Sequence, residues 1–208
     1  MKRIFFSLAL LLAVTALTAQ TNMTAREAAV KIADRILAST TYEFKNTKTG
    51  ETYKSVKKLP LDMNVKVACK YNNWHYTNGV TNMALMELGD KLADKKYEKY
   101  VLKNMNFVFN EGNLEFFRKQ YDEAFKQDGW NAVRKLSWHM IFRGKRLDDN
   151  GPMGASLIEL QMRYPNQSFL DYVNETAEHL NYGEPRLVDG TIARIWPHVN
   201  TIWADDAF

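Results

Sequence analysis

The sequence predicts an all-α protein made of helical hairpins, and three observations carry that expectation. Apolar residues recur at helical spacing in several separate stretches. A capping box stands at the head of the first stretch. One hairpin has a second copy further along the chain.

The elements follow in order. Thr24-Ala25-Arg26-Glu27 is the capping box, and it opens an amphipathic helix to about Ser39 with Ala29, Ile32, Ala33, Ile36 and Leu37 on one stripe. Residues 40 to 72 lose the period, and Lys45 to Lys58, rich in Lys, Thr and Gly, reads as a solvated loop. The helical period returns from Asn78 in Val80, Met83, Ala84, Leu85 and Leu88, and stops near Gly89. It resumes from about Asp94 in Tyr97, Tyr100, Val101, Met105 and Val108, which makes a hairpin with a short connection.

Residues 78 to 101 align without a gap on residues 150 to 173. Asn78-Gly79 falls on Asn150-Gly151, Leu85 on Leu157, Glu87-Leu88 on Glu159-Leu160, Tyr97 on Phe169 and Tyr100-Val101 on Tyr172-Val173. The segments near Leu114 to Phe125 and Ala132 to Phe142 then supply a further hairpin or an elaborated loop between the copies. Gly183, Pro185, Gly190 and Pro197 break the pattern into a loop with one short strand pair, and Trp203 begins a third hairpin. Clusters at Trp74 to Gly79, Asp148 to Gly151 and Trp203 to Asp206 each stand where a long loop enters a helix. Loops feeding the same end of successive hairpins would gather them on one face.

At the start of the chain Lys2 and Arg3 precede an almost wholly apolar run, Ile4 to Leu17, and the small residues Thr18-Ala19. This is the pattern of an export signal, assigned to residues 1–19. The rest, residues 20–208, has the length of one domain, and the expected location is periplasmic or secreted. The run is too short to span a membrane, and no Cys follows the cleavage site to take a lipid. Cys69 is the single cysteine, so no intramolecular disulfide forms. Removing the signal takes away two basic residues and no acid, turning 28 basic and 24 acidic residues into 26 and 24. Interspersed signs at a charge of +2 argue against a nucleic-acid platform.

The chemistry narrows by elimination. His75, His139, His179 and His198 are scattered, with no paired-ligand spacing for a metal, and no cofactor is expected. A phosphate-cradling Gly loop, a paired Cys nucleophile and a Gly-x-Ser-x-Gly elbow are absent from the sequence. Carboxylates remain: Asp148, Asp149, Asp205 and Asp206, each at or before a helix start. Asp is a preferred N-cap, so each has a capping reading beside the catalytic one. Pro152 suits an early helical position that leaves Asp149 just outside the helix. A carboxyl group among Trp203 and Phe208 can hold a proton near neutral pH if burial outweighs the helix dipole. Trp74 and Tyr76 suit an aromatic floor for a sugar with Asn78 as polar contact, or else a hydrophobic staple and core. His198 lies in an irregular loop seven residues before Asp205.

Arg146 to Ala155 (RLDDNGPMGA), Asp189 to Arg194 (DGTIAR), Pro197-His198, Trp203 to Phe208 (WADDAF) and Trp74-x-Tyr76-x-Asn78-Gly79 resemble, in order, the unsaturated rhamnogalacturonyl hydrolases of glycoside hydrolase family 105, relatives of the unsaturated glucuronyl hydrolases of family 88. The resemblance implies an (α/α)6 toroid of six helical hairpins around a groove, of which this chain would form an incomplete, N-terminal part. It implies removal of a terminal unsaturated uronic acid from pectin-derived oligosaccharides, with Asp205 as acid/base and Asp149 as the second active-site acid. Trp74, Tyr76, Asn78, His198 and Trp203 would line the sugar site. This chain has Val199 where many members carry a basic residue, and Asn150 and Pro152 where small residues or Cys are common. The rival expectations are a noncatalytic glycan-binding toroid, a glucuronyl hydrolase acting on another polysaccharide, and a helical-repeat interaction protein.

Overall fold

A computed structural model of the protein describes residues 23–143, 147–194 and 198–202, except the side chains of residues 148 and 149. The expected signal segment, Trp203 and Asp205 lie outside the described residues. The described chain is mostly helical, with six α-helices among the described residues. Its first compact unit runs to Arg35 and its second starts at Ile36.

The first helix, α1, spans Ala25–Ser39. The capping box closes reciprocally: Glu27 N–H donates to Thr24 Oγ1 at 3.2 Å, and Thr24 N–H donates to Glu27 Oε2 at 2.8 Å. That backbone bond is the chief reason the Glu27 carboxyl is held below its ordinary range.

Residues 40 to 72, which lack a helical period, build a small antiparallel sheet, ordered β2-β1-β3, from β1 (Phe44–Asn46), β2 (Thr52–Tyr53) and β3 (Val65–Val67); β2 lies within the Lys45 to Lys58 segment expected as a solvated loop. Strands of two or three residues are too short to show period-two alternation, so the sequence pattern hides them. Phe44, Val65 and Val67 are nevertheless buried. Asn46 makes the turn after β1, its Oδ1 accepting the Lys48 and Thr49 N–H groups at 2.9 and 3.1 Å. Gly50 completes it at φ +82°, where a side chain would be strained.

Two helical hairpins follow the sequence repeat. The first is α2 (Tyr76–Leu92) with α3 (Lys96–Val108). Between the hairpins runs α4 (Glu111–Val133), kinked at Asp128 and at Gly129, which sits at φ +52°. The second hairpin is α5 (Leu147–Arg163) with α6 (Gln167–Glu178). The linking region is thus a long helix broken at non-helical Asp128 and Gly129, a short helical piece beyond the break, and a 3-10 turn at His139–Phe142. It carries the sheet: Phe44 packs on the rings of Phe116 and Phe117, each at 5.9 Å, and the Gln120 amide donates to the Asp62 and Val65 carbonyls.

Three local expectations change. Gly89 does not end α2, which runs on to Leu92 and closes at Ala93 in the left-handed region. Gly89 is buried where α2 turns back on α3; a Cβ there would stand 3.1 Å from the Asp94 carbonyl oxygen. The predicted apolar stripe on α2 is also displaced. Val80 and Met83 are exposed, and the buried face is Asn78, Gly79, Asn82, Leu85, Met86 and Gly89. Small and amide side chains allow the close helix approach described below, which apolar periodicity cannot register. Finally, α5 begins at Leu147, so Asp149 belongs to its first turn rather than preceding it. Pro152 is accordingly the sixth residue of α5, inside the helix rather than at its first position, and it forfeits the hydrogen bond to the carbonyl four residues earlier.

The parallel packing of α2 on α5 is the most extensive helix contact. Near their starts, a Cβ on Gly79 would lie 2.3 Å from the Pro152 carbonyl carbon and 2.5 Å from the Met153 nitrogen. Near their ends, Arg163 donates to both carboxylate oxygens of Asp90 at 2.9 and 2.7 Å. Start meets start and end meets end, so the lead helices of the two hairpins run in the same direction. Behind them a ring cluster joins the hairpins: Trp74 meets Tyr172 at 4.9 Å and Phe109 at 6.3 Å, and Phe109 meets Phe169 at 5.3 Å.

Candidate functional site

The parallel alignment sets the level of the two helix starts. Gly79 faces Pro152, and one turn earlier on each helix stand Tyr76 and Asp149. The entries of the first two hairpins therefore lie at the same end; Trp203 and Asp205 of the third cluster, and the side chains of Asp148 and Asp149, lie outside the described residues.

At the start of α2, His75 is the N-cap, its Nδ1 accepting the Thr77 N–H at 3.3 Å. The imidazole and the Tyr76 ring lie 4.6 Å apart, and Tyr76 is 49% exposed. Of the two aromatic residues expected to floor the sugar site, Trp74 and Tyr76, Tyr76 is the one open to a ligand. Trp74 differs: it is fully buried among Phe109, Trp138 and Tyr172. The geometry gives it the packing role, because an indole two residues before a helix start can fold back under that helix as readily as face outward. Asn78 is buried too and donates both amide hydrogens, to the Lys70 carbonyl at 2.9 Å and the Asn73 carbonyl at 2.8 Å. It fastens the entry loop to the first turn and so positions Tyr76.

At the start of α5, Asn150 is buried and accepts the Tyr172 hydroxyl at 3.1 Å. A cleft of about 390 Å³ opens beside it, bounded by Tyr172, Glu175, His179 and Tyr182. Asn150 brings the first turn of α5, which includes Asp149, to the wall of that cleft. Toward the start of α6 a second cleft of about 260 Å³ is bounded by Arg118, Phe142, Asp171, Tyr172 and Glu175. Sequence reasoning missed both. Tyr172 was visible only as a repeat match, and nothing in the periodicity marks Glu175 or Tyr182 as neighbours of a helix start.

The expected strand pair between residues 182 and 202 is reduced to two isolated bridges, Arg186 with Ile192 and Arg194 with Thr201. Within it Asp189-Gly190-Thr191 makes a tight turn: Gly190, at φ +89°, donates its N–H to the Leu187 carbonyl, and Asp189 accepts the Thr191 N–H at 3.0 Å. That backbone bond holds the Asp189 carboxyl below its ordinary range. His198 is exposed in this loop, and its carbonyl accepts the Thr201 hydroxyl at 2.7 Å. Among the described residues no three His, Cys, Asp or Glu side chains converge as metal ligands, and no helix is long and apolar enough to cross a membrane.

No family model matches the chain, and no curated protein matches it.

Proposed function

We propose that the protein is an exported glycoside hydrolase that removes the terminal C4=C5 unsaturated uronic acid from pectin-derived, rhamnogalacturonan-type oligosaccharides. The observation that supports this reading best is the parallel packing of α2 on α5, which sets Tyr76 and Asp149 at one level and one end of two successive hairpins. A toroid of such hairpins would carry the Trp203 to Asp206 segment at the entry of the next one.

In this reading Asp205, protonated, gives its proton to C4 of the double bond, and positive charge develops at C5 and the ring oxygen. Water adds to C5 as the carboxylate of Asp205 takes back a proton, which restores the acid. The hemiketal at C5 then opens, and the hemiacetal left at C1 releases the remaining saccharide as an alcohol. Atoms balance with one water consumed. Asp149 is the second acid of the site, and Tyr76 supplies a ring face for the sugar. A protonated carboxyl at neutral pH needs burial or a neighbouring carboxylate, and Asp205 has adjoining rings and Asp206 in sequence.

The test is product analysis by chromatography after incubating full-length protein with an unsaturated disaccharide. The proposal expects a free saccharide from the wild type and none above background from Asp205→Asn or Asp149→Asn. Saccharide binding without release by any of the three proteins would assign a noncatalytic glycan-binding role instead.

A further inference from the structure

The two clefts beside α6 have three walls in common, Ile141, Tyr172 and Glu175. We propose that they form one saccharide-binding groove, running from the first turn of α5 along α6 to an aromatic patch on α4, and that it disfavours a run of consecutive uronates. Naming the ligand as a saccharide rests on the function proposed above; the continuity of the groove does not.

At its inner end the groove is rigid. The Tyr172 hydroxyl is held by Asn150, and the Tyr172 ring packs edge-on against buried Trp74. Glu175 is exposed on the wall between the clefts. On the inner side it is followed by Glu178, by His179 with its Nε2 at 3.0 Å from Glu184 Oε1, and by Tyr182, which is 85% exposed. On the outer side stand Asp171 and Arg118, the guanidinium lying 4.7 Å from the centre of the Phe142 ring.

Phe142 carries the groove onto α4. Its ring meets Tyr121 at 5.7 Å, and Tyr121 lies nearly parallel to Phe125, with 4° between the planes. The kink at Gly129 lets Trp130 turn back so that its ring stands edge-on to both, 6.5 Å from Tyr121 and 5.6 Å from Phe125. Phe125 and Trp130 are each about half exposed, and the Arg143 guanidinium sits 5.2 Å from the Trp130 ring. Rings that brace one another edge-to-face while keeping exposed surface form a fixed apolar platform.

The chemistry fits a polyhydroxylated chain. Ring faces take the apolar side of a sugar, carboxylates accept pairs of hydroxyl hydrogens, and Arg118 donates to hydroxyl oxygens. Asp171, Glu175 and Glu178 outnumber Arg118 along the clefts, so consecutive uronates would meet like charge. Together the clefts have the size of a site for several sugar units rather than one.

Isothermal titration of full-length protein carrying Asp205→Asn tests this. The probes are di-, tetra- and hexasaccharides of alternating rhamnose and galacturonate, with hexagalacturonate as the comparison in which every unit is a uronate. Affinity should rise about tenfold from disaccharide to alternating hexasaccharide, with hexagalacturonate bound more weakly. Trp130→Ala, at an exposed position on the outer patch, should weaken the hexasaccharide by roughly three- to tenfold and leave the disaccharide unchanged, and Glu175→Gln should weaken the hexasaccharide by a similar factor. Equal affinity at every length, tighter binding of hexagalacturonate, or indifference to both substitutions overturns the proposal. A concentration-dependent dimer abolished by Trp130→Ala also overturns it, by assigning the patch to a second copy of the chain. Length-dependent binding without hydrolysis by wild type would sink the hydrolase reading and leave the groove standing; hydrolysis without length dependence would do the reverse.

Discussion

Replacing Arg163 by Leu probes the packing that aligns the two hairpins. Besides its paired bonds to Asp90, Arg163 donates through Nε and Nη2 to Glu159 Oε1 at 2.9 and 2.6 Å, and through Nη1 to Glu98 Oε2 at 3.2 Å. Asp90 is more than half exposed, so water replaces that partner at little cost. Glu98 is different: its side chain is 11% exposed, and losing the guanidinium leaves its charge with the Tyr164 hydroxyl at 2.7 Å and Lys95 at 3.7 Å. Charge-assisted bonds in partly buried settings contribute about 1.5–3 kcal/mol, and an exposed pair about 0–1 kcal/mol. Leu retains much of the stem's packing, so Arg163→Leu should cost about 2–3 kcal/mol, read as a lower urea midpoint at unchanged slope.

The acid limb sharpens that test. The Tyr164 hydroxyl, then Arg163, holds the Glu98 carboxyl below its ordinary range, and Arg163 is the main cause of the same shift in Asp90. A depressed folded-state pKa contributes stability above the unfolded value, near about 4, and that stability is lost as pH falls through the folded value. Wild-type stability should therefore fall on acidification through and below about pH 4. In Arg163→Leu the fall should be shallower, with Asp90 relieved and Glu98 still bonded to Tyr164. A loss under about 0.5 kcal/mol at neutral pH, or an unchanged acid limb, refutes the clamp.

Two further outcomes follow from packing. Gly79→Ala puts a methyl group into the Pro152–Met153 backbone, which no rotamer change can relieve, so α2 and α5 must separate. It should cost about 3 kcal/mol or more, or abolish the cooperative transition; a Tm within a few degrees of wild type would contradict the close approach. Trp74→Ala should lose about 3–5 kcal/mol as a core truncation, whereas Tyr76→Ala should stay within about 0.5 kcal/mol and weaken disaccharide binding. Thermal melts and titration together separate these roles, and the reverse ranking would show that Trp74 faces the ligand.

Much of the helical framework was legible because it is periodic. Tyr97, Tyr100, Val101, Met105 and Val108 are buried as the pattern of α3 requires, and Thr24 and Glu27 spell the first cap in four residues. The repeat reading succeeded for a related reason, since Asn150, Leu157 and Phe169 occupy buried positions like those of Asn78, Leu85 and Tyr97. What escaped has no period. The sheet is held by single residues such as Phe44 and by a Gln120 amide reaching back 58 positions. The face of α2 against α5 is chosen by what is missing from Gly79 rather than by what is apolar. Trp74 shows the limit at the candidate site: sequence places it beside a helix start, but its burial depends on Tyr172, nearly a hundred residues on. The clefts along α6 arise from that same long-range packing.

The account turns on whether an alkene, and not an ordinary glycosidic bond, is the group attacked. Full-length protein should be incubated with an unsaturated oligosaccharide and its saturated counterpart of equal length, following the ultraviolet band of the C4=C5 double bond and product release. The account predicts that the band decays in step with release for the unsaturated chain, that the saturated chain stays intact, and that Asp205→Asn stops the decay. Cleavage of both chains alike, or a band that decays as fast with Asp205→Asn, would contradict it.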